Sequence, residues 1–90
     1  MSEKKFVTTD YLIYRSDTRG FDLNQIEYIV RYSSEKYFDT ESGRKVVVGN
    51  HHGILVLIPY DEDDKYIKPI TIHSITRKQI RFRINAGRFV

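Results

Sequence analysis

The run Ile54-Leu55-Val56-Leu57-Ile58-Pro59-Tyr60 narrows most sharply what this chain can become. An apolar stretch of that length without alternation reads as a strand in the centre of its sheet, and Pro59 falls near its end, where a missing N–H costs least. A second strand, Arg44 to Gly49, precedes it and carries Val46-Val47-Val48. Between the two, Gly49-Asn50-His51-His52-Gly53 reads as a hairpin tip whose glycines and asparagine supply positive φ. Tyr37-Phe38-Asp39 is a short extended piece ahead of a turn at Thr40–Gly43. After a second turn at Asp61–Asp64, Tyr66 to Ser74 returns as a strand interrupted by Pro69.

The part before the strands has a different period. Asp22 and Gln25 are spaced as an N-cap and its N3 partner, and Leu23, Ile26, Ile29 and Val30 follow at helical spacing with Glu27 and Arg31 as an i,i+4 pair. This helix is expected to fray at Ser33-Ser34. Upstream, Thr8-Thr9-Asp10 offers a cap to Tyr11-Leu12-Ile13-Tyr14-Arg15, a helix that Gly20 would end, although Tyr, Ile and Thr also suit an extended edge. Tyr11, Leu12 and the stem of Arg15 would share its apolar face. Met1 to Val7 is a polar lead-in.

The last segment reads two ways. Thr76 can cap a helix from Arg77 to Ala86 that stops at Gly87, which would bring Arg77, Arg81 and Arg88 into one narrow stripe flanked by Ile80 and Ile84. Yet Ile80-Arg81-Phe82-Arg83-Ile84 alternates strictly, as a strand does. The fold class expected is therefore α+β in one domain: two N-terminal helices, an antiparallel meander of three to four strands, and a C-terminal basic helix or, alternatively, a strand.

Composition limits the functional classes. The 90 residues include no cysteine, so neither a disulfide nor a thiolate metal site is available, and a 40% hydrophobic fraction must do the stabilising. No apolar run approaches the roughly 20 residues of a membrane span, and no apolar h-region follows Met1–Lys5, so a cytoplasmic chain with no membrane partner is expected. Charge is lopsided. Lys65 to Val90 carries seven Lys or Arg and no acid, which leaves the first 64 residues at net −4 in a chain of +3. Clustered cations displace the counterions of a polyanion, so the acid-free final quarter points to RNA or to an acidic protein. Some of the seven tyrosines could offer stacking faces to bases.

His73 is the candidate for chemistry. Alternation places it opposite Ile70 and Ile72, just before the cationic segment, so an imidazole able to move protons near neutral pH would border guanidinium groups able to hold a phosphate. That grouping suits RNA cleavage without a metal: the ring handles the 2′-OH proton while Arg77 and Arg81 stabilise charge on the scissile phosphate. Arg44, Lys78, Arg83 and Arg88 would contact the backbone. His51-His52 lacks a third ligand for zinc and reads as a polar turn, and Asp61-Glu62-Asp63-Asp64 lacks the spacing of a calcium loop. No cofactor is expected.

Arg15, Arg19-Gly20, Gly43-Arg44 and a closing His73-Ser74-Ile75-Thr76-Arg77, set in two helices and a meander, resemble the small RelE-like and BrnT-like toxin domains of bacterial toxin–antitoxin pairs. In BrnT-like domains the closing strand runs into Ser-Ala-Arg and a basic helix; here Ile75-Thr76 separates Ser74 from Arg77. A related group opens with His-Ala-x-x-Arg-x-x-x-Arg-Gly, of which this chain keeps Arg15 and Arg19-Gly20, with Tyr11 in place of the histidine. The resemblance implies a metal-independent endoribonuclease neutralised by an acidic antitoxin, with site residues by position at His73, Arg77, Lys78 and Arg81. The other reading is a non-catalytic module that binds nucleic acid or an acidic partner. A homodimer paired through an edge beside the Asp61 turn is a further expectation.

Overall fold

The computed structural model describes residues 3–90; the first two residues of the polar lead-in lie outside that range. The elements are β1 (Lys5–Phe6), α1 (Asp10–Arg19), α2 (Leu23–Tyr32), β2 (Lys36–Asp39), β3 (Arg44–His51), β4 (Ile54–Glu62), β5 (Tyr66–Pro69), β6 (His73–Ser74) and α3 (Arg77–Asn85). They form an α+β fold. The sheet has six strands in the order β1-β5-β4-β3-β2, and β6 lies beside the first half of β4. The antiparallel meander is present, but β1 adds to β5 in parallel, so the sheet is mixed. Two residues carry too little pattern to announce a strand; bonds from Lys5 N to Lys65 O and from Val7 N to Ile67 O hold this one. β1 also covers the outer edge of β5, beside the stretch expected as a turn at Asp61–Asp64.

Both faces of the sheet are covered, which explains why its central strands are apolar without interruption. Val47, Val56, Ile58 and Tyr60 point to α1 and α2, where they meet Leu12, Ile26, Ile29 and Val30. Val46, Val48 and Leu57 point the other way, to Ile75, Ile80 and Phe89. Each such side chain contributes about 1.5–3 kcal/mol by leaving water. Only Leu12 and Ser16 of α1 are buried, so Tyr11 is solvent-facing rather than part of the apolar stripe.

The hairpin tip is tighter than its sequence suggests. β3 continues through His51, and the turn is His52-Gly53 alone, with φ of 48° and 91°. Gly49 serves another purpose: a Cβ there would stand 2.5 Å from Ile29 Cγ2, so its missing side chain lets α2 approach β3. His51 is buried rather than a turn residue, and its Nε2 accepts a bond of 2.8 Å from Asp22 N, tying the hairpin to the start of α2. Asp22 caps that helix through Asn24 N, while Gln25 reaches Asn50 O instead of closing a capping box.

The final segment is a helix. Thr76 accepts from Gln79 N while Gln79 accepts from Thr76 N, the reciprocal box that fixes α3 at its start. Beyond its end, Phe38 and Val90 exchange backbone bonds of 2.9 and 3.0 Å, so the C-terminal residues border β2.

Candidate nucleic-acid interface

The break between β5 and β6 creates the site. Proline ends β5, the chain steps across Ile70–Ile72, and β6 resumes with His73 opposite Leu57 and Ser74 opposite Val56. Ile72 is buried under α1, so alternation turns His73 toward the α3 side, where the ring is exposed. Arg15 reaches it from the opposite layer. Position 15 follows Leu12 by three and precedes Ser16, so its stem borders the buried stripe and its head must run out to the sheet margin. There Arg15 Nε donates to Ile72 O at 2.7 Å and Nη2 donates to His73 Nδ1 at 3.0 Å.

A guanidinium can only donate, so His73 Nδ1 accepts and the neutral ring carries its proton on Nε2. The ring titrates below the ordinary histidine value. Desolvation is the largest cause, followed by the charges of Arg15, Arg83 and Arg19. At neutral pH the site is therefore an uncharged imidazole N–H among three cations from α1 and α3.

The cations expected to form one patch separate into two groups. Arg77, at the start of α3, donates to both oxygens of Glu35 at 2.8 and 2.6 Å. Glu35 titrates below its usual range: burial pushes it up, but bonds from Arg77 and Tyr37 outweigh that. Arg88 is not in the helix, so the stripe expected of Arg77, Arg81 and Arg88 does not form. Its guanidinium grips Asp39 through two bonds of 3.0 and 3.1 Å and also faces Glu41 at 3.4 Å. Asp39 is 4% exposed, and its carboxyl is held down to about 2, chiefly by Arg88. Arg44 pairs with Asp61 at 3.1 Å, and Glu62 takes Lys4 and Lys45; both acids belong to β4, which runs two residues into the stretch expected as a turn at Asp61–Asp64. Among the described residues, Arg15, Arg19, Lys78, Arg81 and Arg83 have no ion-pair partner. Of the residues expected from sequence, Arg83 acts on His73 through its charge, Lys78 and Arg81 stand without ion-pair partners on α3 among the described residues, and Arg77, Arg88 and Arg44 are engaged elsewhere.

Beside α3 lies an open groove of about 680 Å³. Lys78, Phe82, Arg83 and Ala86 form one wall; Glu41 and Arg88 stand on the other. Phe82 is 73% exposed. Arg83 belongs to both places, since it lines this groove and its charge acts on His73.

Arg15 and Arg19 are the site members that residue-type reasoning passed over, although the resemblance included both. The available signal was an arginine three residues after the buried Leu12, a position whose charged head has to find the edge of a covering layer. Compared with protein-family models, curated proteins and solved structures, the chain matches none. Among the described residues no helix is long and apolar enough to cross a membrane, and no three His, Asp or Glu side chains converge as a metal group.

Proposed function

We propose that this chain is a toxin-type, metal-independent endoribonuclease of RelE-like and BrnT-like character that takes RNA at the margin of β6. One observation carries the reading: His73 is neutral and hydrogen-bonded to Arg15, with Arg19 and Arg83 adding uncompensated positive charge. Arginine clusters bind phosphodiester oxygens, and the ring supplies the proton chemistry. Arg15 occupies Nδ1 in the free protein. A bound phosphodiester would draw the guanidinium onto its own oxygens and free Nδ1 to accept the 2′-OH proton. The 2′-oxygen then attacks phosphorus, the bond to the 5′-oxygen breaks with that oxygen taking a proton from the imidazolium so formed, and a 2′,3′-cyclic phosphate and a neutral ring result. Arg77 and Arg88, placed among the catalytic and backbone contacts by sequence, have carboxylate partners and take a smaller part; Lys78 contacts the RNA backbone and Arg81 contributes long-range attraction.

The second reading, a non-catalytic RNA-binding module, is favoured by the same bond. While Arg15 holds Nδ1, His73 presents only an N–H donor, which can hold a phosphate but not deprotonate a hydroxyl. The two separate in one set of assays on single-stranded RNA in EDTA. Cleavage with cyclic-phosphate ends, lost in His73→Ala, supports the enzyme. Salt-dependent binding without cleavage supports the module. For either, Arg15→Ala and Arg83→Ala should each flatten the slope of log K against log salt by about 0.7. Absence of any salt-dependent RNA binding rejects both.

A further inference from the structure

The groove beside α3 adjoins the His73 cluster through Arg83 and contains an unusual wall. Phe82 faces away from the core at 73% exposure, while Ile80, two residues earlier, is 2% exposed and anchors the helix. A solvated phenyl ring of that area is unfavourable in water, and none of the described residues covers it. Lys78, one helical turn before it, and Arg83, its neighbour in sequence, line the same groove without ion-pair partners among the described residues. Arg83 is itself held in place, its guanidinium lying 5.4 Å from the Phe89 ring centre. An exposed aromatic face bordered by unpaired cations matches the repeating chemistry of a single strand, which offers a flat base beside each phosphate. A duplex buries those faces, and a bare phosphate has none.

We infer that the α3 groove is a nucleobase subsite: Phe82 stacks on a base of single-stranded RNA whose neighbouring phosphates are held by Arg83 and Lys78, next to the phosphate taken at His73 and Arg15. The inference rests on the RNA reading of the His73 cluster and adds to it a substrate class, single-stranded rather than double-stranded RNA, and a residue that sequence reasoning did not select. Glu41 on the opposite wall is turned toward Arg88 at 3.4 Å and so does not oppose the incoming phosphates at full charge.

The chain contains no tryptophan, so Phe82→Trp installs a single indole reporter at an exposed position without disturbing the core. The probes are a fluorescein-labelled oligoadenylate decamer, the same ribose-phosphate decamer without bases, and a ten-base-pair RNA duplex. Expected results are strong quenching of the indole emission of the Phe82→Trp variant by unlabelled oligoadenylate and none by the unlabelled abasic decamer. Phe82→Ala should weaken oligoadenylate binding by about tenfold while leaving abasic binding unchanged. Duplex binding should equal abasic binding. If oligoadenylate binds in an Arg15- and Arg83-dependent way but neither quenches the indole nor responds to Phe82→Ala, the subsite is refuted and the His73 cluster stands. Failure of all three probes to bind refutes the RNA reading itself, and with it the subsite.

Discussion

Replacing Asp39 with Asn isolates an ion pair whose contribution can be worked out directly. Asparagine keeps the shape of the side chain and an oxygen able to accept from Glu41 N and Ser42 N, as Oδ1 does at 2.9 and 3.4 Å, but it removes the charge facing Arg88. The folded carboxyl titrates at about 2 against an ordinary 3.8. Because the folded value is depressed, its stabilisation is fully present above pH 3.8 and disappears as pH falls through about 2. That difference corresponds to about 2 kcal/mol, and since Asp39 is 4% exposed, solvent screening removes little of it. In a chain of this length a loss of that size lowers Tm by roughly 8–16 °C. Urea unfolding of wild type and Asp39→Asn at pH 7, 4 and 2 is the assay; other carboxylates titrate alike in both and cancel. The gap between the two should be about 2 kcal/mol at pH 7 and close to zero at pH 2. A gap below about 0.5 kcal/mol at pH 7, or one unchanged across the series, would show that packing rather than charge joins the C-terminal residues to β2.

Two further outcomes follow from single contacts. His73 should titrate below ordinary histidine in an NMR series, and Arg15→Ala should move it upward by removing a neighbouring charge. Since the neutral form is favoured in the fold, stability falls on acidification from about 6.5 downward, and Arg15→Ala should reduce that dependence; an unmoved titration would place Arg15 away from the ring in solution. Gly49→Ala puts a methyl 2.5 Å from Ile29 Cγ2 and should cost about 1–3 kcal/mol in urea unfolding; because Ile29→Ala removes both Cγ1 and Cγ2, the double variant should lose less than the sum of the two single losses, and a neutral Gly49→Ala would mean that α2 does not press on β3 at that point.

What could be read in the sequence is what depends on near neighbours. Asp22 before a 3.6 period, Thr76 as the cap in the helical one of the two readings of the final segment, and the apolar run of β4 each act within a few residues, and the structure bears each of them out. Even the placement of His73 opposite Ile72 followed from alternation alone. Charge partners are different. Glu35 and Arg77 are 42 residues apart, Asp39 and Arg88 are 49 apart, and only the closing of the sheet brings them together. A helical wheel extended through Arg88 could not register that α3 stops at Asn85 and that the chain then turns back along β2. Arg15 and His73 are 58 apart for the same reason.

Those long-range pairs change what the lopsided charge means. An acid-free final quarter looks like a uniform cationic surface only if the acids of the earlier chain stay away from it, and here they do not. Glu35 and Asp39 lie before and at the end of β2, where they compensate the two arginines at the extremes of the segment, Arg77 and Arg88. The helix between those anchors keeps Lys78, Arg81 and Arg83 without ion-pair partners among the described residues, and α1 adds Arg15 and Arg19 from the other side of the sheet. Neutralisation at the ends thus positions the cations in the middle. A search for phosphate contacts by mutating every basic residue should therefore give a graded result, with Arg15 and Arg83 changing the salt dependence of RNA binding and Arg77 and Arg88 chiefly changing stability. Equal effects of all four on binding would mean that RNA breaks the carboxylate pairs on arrival, and the division between anchoring and binding cations would fail.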